Sequence, residues 1–139
     1  MQRIFEGIAP DTFIDIYSDA DRCYLFLEEG KWSEGYVCLK CGNTNYCSGK
    51  KPFSRRCTRC KTEESVTAHT VFHNCRLPIT DAFRILYSIC CNPQISAYKI
   101  SKDECIRQMT CWKLRKKIIE WVTVKGSIFE NQHKILKDE

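Results

Sequence analysis

Two short pairs, Cys38-Leu39-Lys40-Cys41 and Cys57-Thr58-Arg59-Cys60, constrain this chain more than any other feature, and fifteen residues separate them. A two-residue gap lets both sulfurs of a pair reach one ion. Two such pairs supply four thiolates at the corners of a tetrahedron. The same local turn aims backbone N–H groups at the sulfurs and offsets their negative charge. Gly42 follows the first pair directly and permits the tight turn that such a knuckle needs. The expectation is one structural Zn2+ held by Cys38, Cys41, Cys57 and Cys60, with no ligand position left for water. A segment this small has little core of its own, so metal binding would contribute most of its folding free energy. The competing reading is a pair of redox or disulfide motifs. A redox Cys-x-x-Cys normally opens a helix in a βαβ unit, and neither pair has that setting.

Eleven cysteines in 139 residues also raise a secreted disulfide scaffold. The odd count argues against it, as do the metal spacing of four of them and the absence of a signal-like apolar run after Met1. The expected setting is a reducing cytoplasm, with the remaining thiols free. No stretch approaches the ~20 apolar residues that span a membrane. Cys47, Cys75, His69 and His73 are candidates for a second metal site. Cys23, Cys90, Cys105 and Cys111 fall in helical segments and read as small buried apolar groups.

Around the knuckles the chain divides into four regions, with an α+β fold expected. Residues 1–34 form a helical segment. Ser18 can cap a helix that starts with Asp19 and Asp21, Cys23, Phe26 and Leu27 share a face, and Gly30 is a natural stop. Residues 35–78 lack a helical period. Runs at 36–39, 51–56 and 65–72 read as short antiparallel strands of a zinc ribbon. Residues 79–122 predict three helices. Thr80 would cap the first and Asn92-Pro93 would end it. Ser96 would cap a short second helix over 97–102, the turn would be Asp103-Glu104, and a third helix would run over 106–122. Residues 123–139 read as a polar tail that frays or begins something further. The ribbon is expected to pack with the N-terminal helix and the three-helix unit.

Charge is distributed unevenly along these regions. Residues 1–34 hold eight acids and three bases, whereas 35–139 hold nine acids and nineteen bases. This polarity suits a polyanionic partner, or else a plain basic surface. A short second helix with a tight turn into a basic third one suggests a helix-turn-helix. The third helix carries Arg107, Lys113, Arg115, Lys116 and Lys117, with no acid from 106 to 119. Met109, Trp112, Leu114 and Ile118 would face the core. Arg107, Gln108 and Thr110 would read base edges, and the distal bases would hold phosphates. Lys50, Lys51, Arg55, Arg56 and Arg59 of the ribbon would add phosphate contacts. A basic amphipathic helix on an ordinary bundle fits the same charges. A protein-interaction module using Trp32, Tyr36, Phe53 and Trp121 as aromatic anchors is the alternative function. A thiol redox enzyme is a third.

The order of these segments resembles bacterial insertion-sequence transposases of the IS1595 type (ISXO2-like). The resemblance rests on the run from Trp32 to Gly42, on the second knuckle followed by residues 65–73, on Leu77-Pro78-Ile79 leading into the helix with Phe83 and Tyr87, and on Ile95-Ser96-Ala97 with Gln108-Met109-Thr110-Cys111-Trp112. It covers about residues 11–122. It implies an N-terminal DNA-recognition region, a zinc ribbon plus helix-turn-helix, that binds double-stranded DNA, namely the terminal inverted repeat of a mobile element. In that family an RNase H-like catalytic domain follows, and it has no counterpart in this sequence, so no enzymatic activity is expected of this chain. Asp138-Glu139 resembles the first catalytic acid of such a domain. The chain departs from the family at Leu39, where Pro is frequent, and at His69 and in Asp103-Glu104-Cys105, where Gly is usual.

Overall fold

The computed structural model describes residues 4–5 and 7–130, so Asp138 and Glu139 lie outside the described residues. The elements are α1 (Pro10–Tyr17), α2 (Ala20–Lys31), β1 (Tyr46–Ser48), β2 (Arg55–Cys57), β3 (Glu63–Glu64), α3 (Ile79–Cys91), α4 (Ala97–Glu104) and α5 (Gln108–Lys125). The fold is small and α+β, with one antiparallel sheet in the order β1-β2-β3. Contacts divide the described residues into two compact units: those up to 23 with 75–128, and 24–74 with 129–130.

In the first unit, the single N-terminal helix expected from the sequence is two. The Ser18 N–H donates to the Ile14 carbonyl (3.1 Å) and closes α1. The Asp19 carboxylate accepts the Asp21 N–H (3.0 Å) and opens α2, so Asp19, not Ser18, caps the second helix. α1 contributes Phe13, which stacks on Tyr87 of α3 with ring centroids 4.2 Å apart. Phe5 meets Phe13 edge-on at 5.1 Å. The Tyr87 hydroxyl donates to the Ile8 carbonyl (2.6 Å), satisfying its polar tip. The buried stripe of α3 comprises Ile79, Ala82, Phe83, Ile85, Leu86, Ile89 and Cys90.

α3, α4 and α5 pack on one another pairwise. α3 begins at Ile79 with Pro78 in the cap position, two residues before the expected cap Thr80, and ends at Asn92 as expected. The Ser96 hydroxyl accepts the Lys99 N–H (3.1 Å), the predicted cap of α4. α4 then runs through Asp103 and Glu104, and the turn to α5 is Cys105–Arg107. Cys105 is not a buried apolar group. It is exposed and left-handed (φ 55°) at the end of α4. An L side chain is disfavoured in that conformation and glycine is not. Cys105→Gly is expected to raise stability by about 0.5–1 kcal/mol, less than the full left-handed cost because glycine also loosens the unfolded chain. Urea denaturation of both proteins measures it.

α5 extends past the expected end, to Lys125, and Gly126 (φ 72°) closes it. Of the tail expected over 123–139, residues 126–130 are ordered against the rest of the chain and 131–139 lie outside the described residues. Ile128 is buried. In the second unit, Phe129 bridges to Thr70, and the Glu130 N–H donates to the His69 carbonyl (3.0 Å). Gly30 does not stop α2. It lies inside the helix, where any Cβ would collide with the Phe129 ring. The second unit holds the sheet, with Tyr46 opposite Cys57, Ser48 opposite Arg55, and Arg55 opposite Glu64. The runs expected as strands at 36–39 and 65–72 are loop and turns, and of 51–56 only Arg55 and Arg56 are strand.

Candidate metal centre and basic helix face

The two knuckles are built by one repeated backbone pattern. In the first, the Cys38 N–H donates to the Asn43 carbonyl (2.8 Å) and the Gly42 N–H to the Cys38 carbonyl (2.8 Å). In the second, the Cys57 N–H donates to the Thr62 carbonyl (3.0 Å) and the Lys61 N–H to the Cys57 carbonyl (3.1 Å). The residue after each pair is left-handed, Gly42 at φ 79° and Lys61 at φ 65°. Gly42 therefore sits where the sequence predicts, and Lys61 takes the same turn at a conformational cost.

These turns bring the four sulfurs of Cys38, Cys41, Cys57 and Cys60 within 4.8 Å of one another. Cys38 and Cys60 sulfurs are 3.6 Å apart, and those of Cys41 and Cys57 are 3.5 Å apart. A zinc ion with Zn–S bonds of ~2.3 Å sets tetrahedron edges of about 3.8 Å, so the spacing fits such an ion. The donor set around the sulfurs fits as well. The N–H groups of Arg59 and Cys60 point at Cys57 Sγ (3.3 and 3.4 Å), and the Asn43 side-chain amide donates to it (3.4 Å). Burial pushes the Cys57 thiol up, yet those three donors together draw it down to about 5. Cys60 Sγ lies 3.2 Å from the Thr62 hydroxyl, which leads its shift below the ordinary thiol range. Cys57 and Cys60 are therefore disposed toward thiolates, the form a metal requires. At Cys41 the Asn43 N–H lowers the thiol, but burial and the neighbouring sulfurs together raise it to about 11. Cys47, Cys75, His69 and His73 form no such group: the cysteine tetrad is the one cluster with metal-ligand spacing among the described residues.

Two charged side chains missed as structural elements brace this centre. Lys31, at the end of α2, has a fully buried side chain. Its ammonium donates to the Ser65 (2.8 Å) and Ala68 (2.6 Å) carbonyls and pairs with the Glu64 carboxylate at 2.5 Å. Burial lowers its pKa, and Glu64 opposes that shift. Glu63 holds the β1–β2 loop. Its carboxylate accepts the Lys50 (2.8 Å) and Lys51 (3.3 Å) N–H groups, the Ser54 hydroxyl (3.1 Å) and Arg56 Nη2 (3.1 Å). The Lys50 and Lys51 amides lead the shift that takes its pKa from 4.5 to about 2. A depressed carboxyl stabilises the fold fully above its unfolded value and loses that contribution as pH falls from about 5 toward 2. Glu63→Gln is accordingly expected to speed hydrogen exchange at the Lys50 amide by about an order of magnitude at pH 7. In the unsubstituted protein the Glu63 contribution to that protection should be unchanged between pH 7 and pH 5.

The ribbon bases differ in availability. Lys50, Lys51 and Arg59 are exposed. Arg55 and Arg56 are not free phosphate ligands. Arg55 lies between the Trp32 ring (4.4 Å) and the Tyr46 ring (4.2 Å), and Arg56 is paired with Glu63. Trp32 and Tyr36 are buried, which removes two of the four expected aromatic anchors for a protein partner.

The buried stripe of α5 is Cys111, Leu114 and Ile118. Met109 and Trp112, expected in the core, are instead 57% and 49% exposed. Arg107, Gln108, Lys113 and Lys116 are exposed, while Thr110 and Lys117 are half-buried. Arg115 is turned inward. Its Nε donates to the Ile95 carbonyl (2.6 Å) and its Nη2 to the Pro93 carbonyl (3.4 Å), so it ties α5 to the α3–α4 turn rather than facing a phosphate. Of the acids before the turn, Asp103 pairs with Lys99 (3.2 Å), and burial raises the carboxyl pKa of half-buried Glu104.

No protein-family model, curated protein or solved structure matches this chain. Among the described residues, no helix is long and apolar enough to cross a membrane.

Proposed function

We propose that this chain is a zinc-dependent module that binds double-stranded DNA, of the kind expected at the recognition end of an insertion-sequence transposase. The observation that carries the reading is α5. It packs with α3 and α4 across a three-residue turn, and its outer side holds Arg107, Gln108, Lys113 and Lys116 in a stretch with no acid from 105 to 119. An α-helix fits the major groove, and a three-residue turn before it is of the length a helix-turn-helix uses. His69, where the resemblance expects glycine, and Cys105, within the three-residue turn where it expects one, both take the left-handed conformation that favours glycine. Zinc is the metal of choice for four thiolates at tetrahedral spacing. Lys50, Lys51 and Arg59 of the ribbon add phosphate contacts. The target in this reading is the terminal inverted repeat of a mobile element.

The test is retention of a random-sequence duplex pool by the zinc-loaded protein at ~100 mM salt. Binding is expected, with a log–log salt slope that flattens by about 0.9 for each phosphate contact removed, as in Lys116→Ala. Undetectable binding, or binding unaffected by combined replacement of Lys50, Lys51, Arg59 and Lys116, would overturn the reading.

A further inference from the structure

Met109, Trp112, Lys113 and Lys116 recur at i, i+3, i+4 and i+7 on α5, and all four are exposed. The buried residues Cys111, Leu114 and Ile118 form a separate stripe, so this one is not core turned slightly outward. It is mixed in character. Its N-terminal half is two large apolar side chains, and its C-terminal half is two ammonium groups. The Lys116 ammonium stands 5.2 Å from the Trp112 ring centroid, which holds the indole against the helix in a defined pose. Together these side chains give α5 one outward face, apolar at its N-terminal end and cationic beyond it, that is open to a partner.

We infer that Met109 and Trp112 are specificity-determining residues that pack on thymine methyl groups in the major groove of the bound duplex. The inference rests on the DNA-binding reading above and extends it to the base chosen. The major groove edge of a base pair offers hydrogen-bonding groups and one apolar group, the C5-methyl of thymine. An apolar pair at the N-terminal half of a groove-entering helix has that methyl as its chemical counterpart. Lys113 and Lys116 continue the stripe and supply the positive charge that draws it to a polyanion, which is why a duplex is the occupant and not an apolar protein face. This moves the base-reading role away from half-buried Thr110, while exposed Arg107 and Gln108 remain available for polar edges.

The test begins with selection of bound sites from a random duplex pool by the zinc-loaded protein. Each thymine in the selected site is then replaced by deoxyuridine, which removes the methyl and nothing else. Deoxyuridine is expected to weaken binding about threefold to fivefold at one or more positions, the loss that burial of one methyl group implies. That loss should disappear in Met109→Ala or Trp112→Ala, whose folding is untouched because both residues are exposed. Selected sites insensitive to every deoxyuridine substitution would overturn this inference and leave the DNA-binding reading standing. So would variants that weaken all duplexes equally. If no duplex is retained at all, the reading beneath falls and the inference falls with it.

Discussion

Replacing Cys57 by serine is expected to unfold the ribbon. Cys57 is fully buried, and its sulfur is the one on which two backbone N–H groups and the Asn43 amide converge. The segment from 36 to 72 has strands of only two or three residues, too short to hold together by ladder hydrogen bonds alone. Structural zinc contributes apparent binding free energies of roughly 10–16 kcal/mol in comparable small sites, and that energy is folding energy. Loss of one of four ligands should remove most of it. In an amide-resolved NMR spectrum, resonances of 36–72 should collapse to unfolded positions, whereas those of α3, α4 and α5, built on their own apolar stripe, should stay dispersed. Retention of a dispersed ribbon spectrum in Cys57→Ser would show that the fold does not depend on the tetrad.

The second large effect is expected at Lys31. A methionine there keeps the volume and removes the charge, leaving the Ser65 and Ala68 carbonyls without their donor and the Glu64 carboxylate without its counter-ion. Breaking a buried pair by deleting one partner costs about 3–5 kcal/mol, more than the pair contributes in total, because the survivor is stranded. Lys31→Met should lose that much in urea denaturation of the zinc-loaded protein. The double replacement Lys31→Met with Glu64→Gln should recover part of it, since no charge is then left unpaired. A loss below about 1 kcal/mol in the single variant would mean that the ammonium is not the clasp between α2 and the ribbon.

Lys31 also shows why parts of this molecule are hidden from sequence reading. In the last turn of a helix a lysine reads as a surface cation facing the helix dipole. Its burial depends on carbonyls more than thirty residues away. Arg115 is hidden in the same manner: its run of neighbouring bases reads as a phosphate-binding face, and only tertiary structure turns it onto the Pro93 and Ile95 carbonyls. The cysteine tetrad, the Ser96 cap and the Asn92 stop were legible because each is local chemistry at a fixed spacing. Met109 and Trp112 were misassigned to the core because hydrophobicity alone does not choose between two apolar stripes on one helix. The spacing Cys111, Leu114, Ile118 carried the information, since it excludes Met109 and Trp112 from the same face. His69 carries a side chain where the backbone is left-handed, so residue type concealed a turn in a run that reads as strand.

Metal content bears most directly on the central claim. Protein purified under reducing conditions, analysed by plasma mass spectrometry and again after cobalt(II) substitution, should contain one zinc per chain and give the absorption of a tetrahedral tetrathiolate cobalt site. Substoichiometric metal, with the ribbon spectrum unchanged in a strong chelator, would contradict it.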